Sequence, residues 1–275
     1  MTTLDQYLTA GKVPFTTVNG WETRTSAGSF DPSGLMIHHT GADNTPLSIL
    51  IDGRAGLSGP LCHIFIDMQQ VKAYLISDHG NANHAGMGDL HALGRMHRDE
   101  PPQSPPGGDT GGGNQWFYGI EIEGNSPGDF HVGEIYSRHY RLAVNTAAAI
   151  CMGRSWDPMT RILAHKEWTR RKPVDPHFDM HRFRVDTKRR LHTMSDQLTP
   201  DELETAQKHN TGVRAAGSNG GYPKKLIPWY RRYRDEKLED RLRALESSSS
   251  DPADLSDILN RLDNLEQFEE EIRNL

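Results

Sequence analysis

The chain has 275 residues, of which 35% are hydrophobic and 25% are charged. That length predicts one ordinary domain with additional chain, or two small domains. No run of about 18 apolar residues occurs, which excludes a membrane-spanning helix. The N-terminal segment has neither the basic region nor the apolar region of a secretory signal. The last 25 residues hold eight acidic residues and two arginines and so account for the whole net charge of −6. This balance argues against a general nucleic-acid binder.

Residues 20–192 predict one α/β domain with a mixed central β-sheet flanked by helices. The predicted strands are 34–37, 62–67, 71–76, 117–122 and 161–164, and the second and third form a hairpin. The predicted helices are 45–54, 136–152 and 182–192, with Gly153 closing the middle one. Residues 100–114 are so rich in proline and glycine that they predict a loop insertion. Only Cys62 and Cys151 are present, too few for a disulfide scaffold or a four-cysteine zinc site.

The chain changes character beyond residue 193. Residues 193–246 predict a helical segment, because a capping box with proline at the first helical position starts at Thr199. Residues 247–275 predict an acidic helical tail. Its apolar residues follow a 3-4 spacing over just under three heptads, too short to establish a coiled coil: Leu255, Ile258, Leu262, Leu265 and Ile272. Self-association through 255–275 and a solvated tail are two open hypotheses.

Three side chains form a candidate metal site. His38 and His165 each stand at the end of a predicted strand, and Asp175 follows ten residues after His165. Two imidazoles and one carboxylate with an open fourth position are the ligand set of a hydrolytic zinc site. Spacing alone leaves surface or core histidines as the alternative, because the chain has 14 histidines.

Two glutamates on the predicted strand 117–122 and just after it are candidates for a catalytic base. Glu121 and Glu123 stand two residues apart, so both point to the same face of an extended strand. One of them is expected to face the metal as general base, because a carboxylate beside an activated water can take its proton. An exposed edge strand is the structural alternative, and alternation alone does not separate Glu121 from Glu123.

Four motifs then occur in a fixed order: Ile37-His38-His39-Thr40-Gly41, Asn83-His84-Ala85-Gly86, Tyr118 to Gly124, and Ala164-His165-Lys166-Glu167-Trp168 with Asp175-Pro176 after it. Together they resemble the zinc-dependent N-acetylmuramoyl-L-alanine amidases of type 2, a family that includes phage endolysins, bacterial muropeptide amidases and peptidoglycan recognition proteins. The resemblance covers about residues 20–192 and is strongest to endolysins of phages that infect actinobacteria.

The resemblance implies a role for each motif residue. His38, His165 and Asp175 become the Zn²⁺ ligands and Glu121 the catalytic base. Relatives that lack this glutamate use a tyrosine just before a histidine, where this chain has Cys62. A lysine that helps to polarise the substrate carbonyl often stands two residues before the third ligand. Lys172 stands three residues before Asp175, so its role stays open.

Asn83 and His84 are expected either to line the substrate groove or merely to shape a turn. His63 is expected to be a core histidine or to bond inside the cleft.

The activity that follows from the resemblance is hydrolysis of the amide between N-acetylmuramic acid and L-alanine in bacterial peptidoglycan. An endolysin would stay in the host cytoplasm until release and then reach the cell wall, without membrane insertion. Endolysins often carry a binding region beside the catalytic one, so the resemblance implies that residues 193–246 are a helical linker or a wall-binding region, and wall targeting is a third hypothesis for residues 193–275. Two other hypotheses remain. One is a non-catalytic peptidoglycan-binding module of the same fold, and the other is a zinc hydrolase of cytosolic amides.

Overall fold

The computed structural model describes residues 3–132 and 135–195. The helices within them are α1 Leu4–Ala10, α2 Leu47–Asp52, α3 Leu90–His97, α4 Arg138–Arg154, α5 Pro158–Arg161, α6 His165–Trp168 and α7 Met180–Ser195, with a 3₁₀ turn at Pro127–Phe130. The strands are β1 Phe15–Thr17, β2 Gly34–His39, β3 Gly53–Arg54, β4 Leu57–Ser58, β5 Ile64–Asp67, β6 Lys72–Leu75, β7 Met87–Gly88, β8 Gly111–Gly112, β9 Phe117–Ile122, β10 His131–Val132, β11 Ile135–Tyr136 and β12 Ile162–Ala164.

A six-stranded sheet in the order β1-β6-β5-β9-β2-β12 forms the centre of the fold. Only β5 and β6 pair antiparallel within it, and every other neighbouring pair is parallel. The expected α/β class with a mixed sheet and flanking helices is therefore confirmed, as is the hairpin of β5 and β6. Parallel pairing brings the carboxyl ends of β5, β9, β2 and β12 to one edge of the sheet.

The two faces of the sheet differ because side chains alternate along each strand. On one face, Leu35 and Ile37 of β2 join the main apolar core, which includes residues of α1, α4 and α7. On the other face, Met36 packs with α3 residues and Trp168 in a smaller cluster. His38 follows Met36 on this second face. His38 therefore lies on the face of the sheet opposite the main apolar core.

The boundaries of all three predicted helices differ from the sequence-based expectation. The helix expected at 45–54 is shorter, because α2 covers Leu47–Asp52 and Gly53–Arg54 form β3. The helix α4 runs through Gly153 and ends at Arg154, and Ser155 takes the left-handed conformation instead. Gly153 serves a packing purpose, because a Cβ there would lie 2.0 Å from Cδ1 of Tyr7 on α1. The helix α7 begins at Met180 rather than residue 182, because the Asp179 carboxylate accepts the backbone N–H of His181 at 2.8 Å.

Some elements were not predicted from the sequence. The helix α1 and strand β1 precede residue 20, yet Leu4, Tyr7 and Leu8 are buried in the main core. The short amphipathic α3 was also not predicted. The insertion 100–114 is irregular as expected, apart from the two residues of β8.

The predicted helices between 199 and 275, the tail and the coiled-coil hypothesis lie outside the described residues and stay predictions. Within residues 3–132 and 135–195, no helix has the length and apolar character needed to cross a membrane.

Candidate active site

His38, His165 and Asp175 meet at the carboxyl edge of the parallel strands. His38 lies near the end of β2, and His165 directly follows β12, the neighbour of β2 in the sheet. Asp175 lies in the loop between α6 and α7. All three are buried. Carboxyl ends of parallel strands are the usual place for ligand sites in open α/β sheets.

One atom from each of these residues points to a common position. His38 Nδ1 lies 3.0 Å from His165 Nδ1. Asp175 Oδ2 lies 2.8 Å from His165 Nδ1 and 3.6 Å from His38 Nδ1. Among the described residues, these three form the group of histidine, cysteine and carboxylate side chains arranged to hold a metal ion.

The donor set fits a divalent zinc ion. Ligands bound at about 2.0–2.1 Å in a tetrahedron lie about 3.3 Å from one another, close to the three separations found here. Burial lowers the pKa of His38 to about 4, so its imidazole is neutral and offers a lone pair. Burial also acts to raise the pKa of Asp175, but its contacts with the side chains of His165, His38 and His39 outweigh burial and hold that pKa well below its usual range. The set therefore combines the neutral imidazole of His38, the imidazole of His165 and one carboxylate.

Asp175 is oriented by the residue that follows His38. The backbone N–H of His39 donates to Asp175 Oδ1 at 2.8 Å, and His39 Nδ1 lies 3.1 Å from the same oxygen. Since these contacts use Oδ1, the other oxygen, Oδ2, is the one turned toward His38 and His165.

Two neighbours of His165 hold the surrounding loops, and sequence reasoning gave neither a role. Lys166 Nζ donates to the carbonyls of Pro176 and Phe178 at 2.7 and 2.8 Å, which fixes the chain just after Asp175. Glu167 accepts the Ala164 backbone N–H at 2.8 Å. The sequence signal for this contact was the spacing of a capping box. Glu167 stands three residues after Ala164, the residue that precedes the short helix α6.

Glu167 also forms a buried, two-bonded ion pair with Arg184 of α7. The two N···O distances are 2.9 and 2.8 Å, and both side chains are less than a tenth exposed. Bidentate geometry satisfies both carboxylate oxygens and fixes the orientation of the pair. The turn that carries His165 is thereby attached to α7 beneath the sheet edge.

Glu121 lies beside the ligand set. It pairs in register with His38 across β9 and β2. The residue as a whole is partly exposed, but its Oε2 is buried and has no hydrogen-bond partner among the described residues. Burial raises the pKa of Glu121 well above its usual range, the charge of Asp175 raises it further, and the charge of Lys172 opposes both. An unpartnered carboxylate oxygen here is available to a water molecule or substrate.

Glu123 has a structural role instead. Its Oε1 accepts the backbone N–H of Thr45 at 2.6 Å, and its Oε2 accepts that of Met68 at 2.9 Å. Both oxygens are used to hold the loops that follow β2 and β5. The contacts thus distinguish the two glutamates, which alternation along the strand could not.

Lys172 lies in a turn that ends at Asp175. The backbone N–H of Asp175 donates to the Lys172 carbonyl at 3.2 Å, and Pro173 occupies the second position, where its fixed φ favours such turns. The extra residue between the lysine and the third ligand is taken up by this turn. Lys172 is exposed, and its positive charge acts on both His38 and Glu121.

The two residues expected in the substrate groove contact protein groups. Asn83 Nδ2 donates to the Ser58 carbonyl at 2.9 Å, and Asn83 Oδ1 accepts from Asn114 at 3.1 Å. His84 is buried, with Nδ1 2.9 Å from His38 Nε2 and Nε2 3.0 Å from the Phe117 carbonyl. Substrate binding by this pair stays a prediction, and both nitrogens of His84 are already used.

His63 is a core histidine. Its Nδ1 accepts the Gly119 backbone N–H at 2.9 Å, and its Nε2 donates to the Gly80 carbonyl at 2.9 Å. Its ring also stacks on Phe30 at a centroid distance of 4.8 Å. Burial lowers the pKa of His63 to about 4, in keeping with a neutral ring.

The insertion 100–114 is attached to the loop after α6. Thr169 donates to the Asp109 carboxylate at 2.8 Å, and Arg170 donates to the Pro106 carbonyl at 2.8 Å. Gly107 N–H donates to Asp89, the residue that caps α3, at 2.6 Å. These bonds place the insertion beside the strand end that carries His165.

The contrast between the two glutamates predicts effects of different size on the free energy of unfolding. Glu123→Gln replaces an accepting oxygen with an NH₂ that faces a backbone N–H, so we expect a loss of about 1–3 kcal/mol in the free energy of unfolding. Glu121→Gln removes no protein hydrogen bond at Oε2 and is expected to change stability by less than about 1 kcal/mol. Urea unfolding of the two variants measures this. Equal destabilisation would contradict the assignment of Glu123 as the structural carboxylate.

The chain is similar to known proteins by a family model and by solved structures. A family model described as N-acetylmuramoyl-L-alanine amidase matches residues 28–178. No curated protein shows a match to the chain. Among solved structures, the chain is similar to the endolysin N-acetylmuramoyl-L-alanine amidase LysCS of Clostridium intestinale URNW, at 16% identity and a TM-score of 0.40, over 62% of this chain and 93% of that one.

Two further solved structures are similar. The N-acetylmuramoyl-L-alanine amidase LysC of Clostridium intestinale URNW has 17% identity and a TM-score of 0.40, over 62% of this chain and 95% of that one. The Staphylococcus aureus hydrolase AmiA has 11% identity and a TM-score of 0.44, over 72% of this chain and 94% of that one. Because the family model spans more than half of its residues, this chain belongs to the N-acetylmuramoyl-L-alanine amidase family.

Proposed function

We propose that this chain is a zinc-dependent peptidoglycan hydrolase that cleaves the amide between the lactyl group of N-acetylmuramic acid and L-alanine. The observation that carries the proposal is the convergence of His38 Nδ1, His165 Nδ1 and Asp175 Oδ2, beside a buried, unpartnered oxygen of Glu121. Membership of the amidase family supports the substrate class.

The three converging residues would hold the zinc ion. Bound there, zinc supplies Lewis acidity, which polarises the scissile carbonyl and makes a water molecule nucleophilic near neutral pH. The protein supplies a rigid donor set, since two ligands stand at strand ends and the third is held by His39 and by the loop contacts of Lys166.

Glu121 moves the proton. Its Oε2 accepts a proton from the attacking water as the new C–O bond forms at the scissile carbonyl. It then donates that proton to the alanine nitrogen as the C–N bond breaks. An amide nitrogen leaves poorly unless it is protonated, so the reaction needs this acid–base residue. The products are the muramic acid carboxylate and a free L-alanine amine.

Lys172 stabilises charge in this proposal. Its ammonium group acts electrostatically on Glu121 and His38 from the turn before Asp175. A positive charge near the scissile carbonyl favours the oxyanion that develops there, an effect often worth about 3 kcal/mol.

Glu121→Gln should reduce the rate of wall hydrolysis by about 10²–10⁴-fold while zinc remains bound, because the amide cannot shuttle the proton. The measurement is release of L-alanine amino termini from purified peptidoglycan, with Glu123→Gln as the matched carboxylate control at conditions where both variants are folded. Wild-type release by Glu121→Gln would remove Glu121 from the mechanism. Wall binding by the wild-type chain without any release of amine would favour the non-catalytic binding module.

His165→Ala should lower bound zinc and abolish hydrolysis, because it removes one of three donors. His91→Ala is the control, since that imidazole is exposed on α3. Metal content after dialysis, measured by mass spectrometry, checks this. A His165→Ala variant with a full equivalent of zinc would exclude His165 as a ligand.

We also propose that the chain acts as a phage endolysin, held in the host cytoplasm until the membrane opens. The support is the resemblance of its four motifs to those of actinobacteriophage endolysins. Expression in an actinobacterial host should leave turbidity unchanged until chloroform permeabilises the membrane, after which turbidity falls. The Glu121→Gln chain should not lyse the cells at all. Lysis by the wild-type chain before permeabilisation, or none after it, would contradict this role.

A further inference from the structure

The second imidazole nitrogen of His38 is engaged by a chain of contacts that ends on a backbone carbonyl. His38 Nε2 lies 2.9 Å from Nδ1 of His84, and Nε2 of His84 lies 3.0 Å from the oxygen of Phe117. Both rings are buried, and they meet edge to face at a centroid distance of 5.1 Å.

If both rings are neutral, only one placement of their hydrogens satisfies these contacts. The Phe117 carbonyl can only accept, so Nε2 of His84 must carry the hydrogen. Nδ1 of His84 is then bare and must accept, so Nε2 of His38 carries the hydrogen in turn. This leaves Nδ1 of His38 bare, and that is the atom that points toward His165 and Asp175.

The fold makes room for this arrangement at Gly119. A Cβ there would lie 2.6 Å from Cγ and 2.7 Å from Nδ1 of His84, so only glycine lets the ring lie against β9. Gly119 also donates its N–H to His63. The glycine of the β9 motif and the histidine of the Asn-His-Ala-Gly motif thus form one structural unit.

We propose that His84 is a positioning residue that fixes the tautomer and ring orientation of His38, rather than a group that binds substrate. It sets Nδ1 of His38 as the metal-binding nitrogen by accepting a hydrogen bond from Nε2. Groups that orient a metal-ligating histidine in this way commonly change metal affinity by 10–100-fold when they are removed. The inference rests on the proposed zinc site.

The direct test is nitrogen-15 NMR of the zinc-loaded, full-length wild-type chain with labelled histidines. We expect an Nε2–H tautomer for both His38 and His84, and a scalar coupling across the hydrogen bond that joins them. An Nδ1–H tautomer for either ring would overturn the proposal. This measurement needs no variant and so does not depend on the folding of one.

Zinc affinity provides the second test, measured by competition with a chelator. His84→Phe keeps a planar ring without nitrogens, so the affinity should fall 10–100-fold. His84→Gln should recover part of the loss, because its amide can accept from His38 and donate to Phe117. His63→Phe is the control: this imidazole is also buried, but its two nitrogens bond Gly119 and Gly80 rather than a proposed metal ligand.

The outcomes separate this inference from the proposed function. A wild-type chain that does not bind zinc would defeat the proposed metal site itself. A wild-type chain that binds zinc, with a folded His84→Phe variant of equal affinity, would defeat only the role of His84. An equal loss in His63→Phe and His84→Phe would mean that packing, and not the hydrogen bond, is responsible.

Discussion

Two imidazole nitrogens and a carboxylate oxygen that point their lone pairs at one position repel one another unless a hydrogen atom or a cation lies between them. His38 Nδ1, His165 Nδ1 and Asp175 Oδ2 are held 2.8–3.6 Å apart, with all three side chains buried. A shared proton can relieve part of this repulsion, and a divalent cation can relieve all of it. The neighbouring hydrogen bonds and loop contacts of the fold keep these donors together.

The sheet supplies the rigidity that this convergence needs. Parallel pairing of β2 with β12 brings His38 and His165 to one edge, while the opposite face is anchored in the apolar core against α4 and α7. Asp175 comes from a loop, so it depends on side-chain contacts: His39 orients its carboxylate, and Lys166 holds the residues that follow it. Asp175, although it lies in a loop, is therefore held almost as firmly as His38 and His165 at the strand ends.

Local sequence patterns predicted much of the fold and of the candidate site. The parts that they did not predict depend on contacts between residues far apart in the chain. The strands around His38 and His165 follow from short apolar runs, and the motif resemblance singled out Asp175. The motif resemblance pointed to Glu121, but strand alternation could not separate it from Glu123, because the difference depends on the backbone N–H groups of two distant loops that bind Glu123. For the same reason, the bond between His84 and His38 is invisible in a sequence that separates them by 46 residues. The helix α1 is short, and although Thr3 and Gln6 form a capping box at its start, its stability depends on burial against α4, which a local signal does not report.

The central claim is that one divalent ion is held by two imidazoles and one aspartate oxygen. Anomalous diffraction from crystals of the full chain, recorded on both sides of the zinc absorption edge, tests it most directly. We expect a single zinc peak within bonding distance of His38 Nδ1, His165 Nδ1 and Asp175 Oδ2. A map of zinc-supplied crystals with no anomalous peak among these atoms, or with the peak at other residues, would contradict the account.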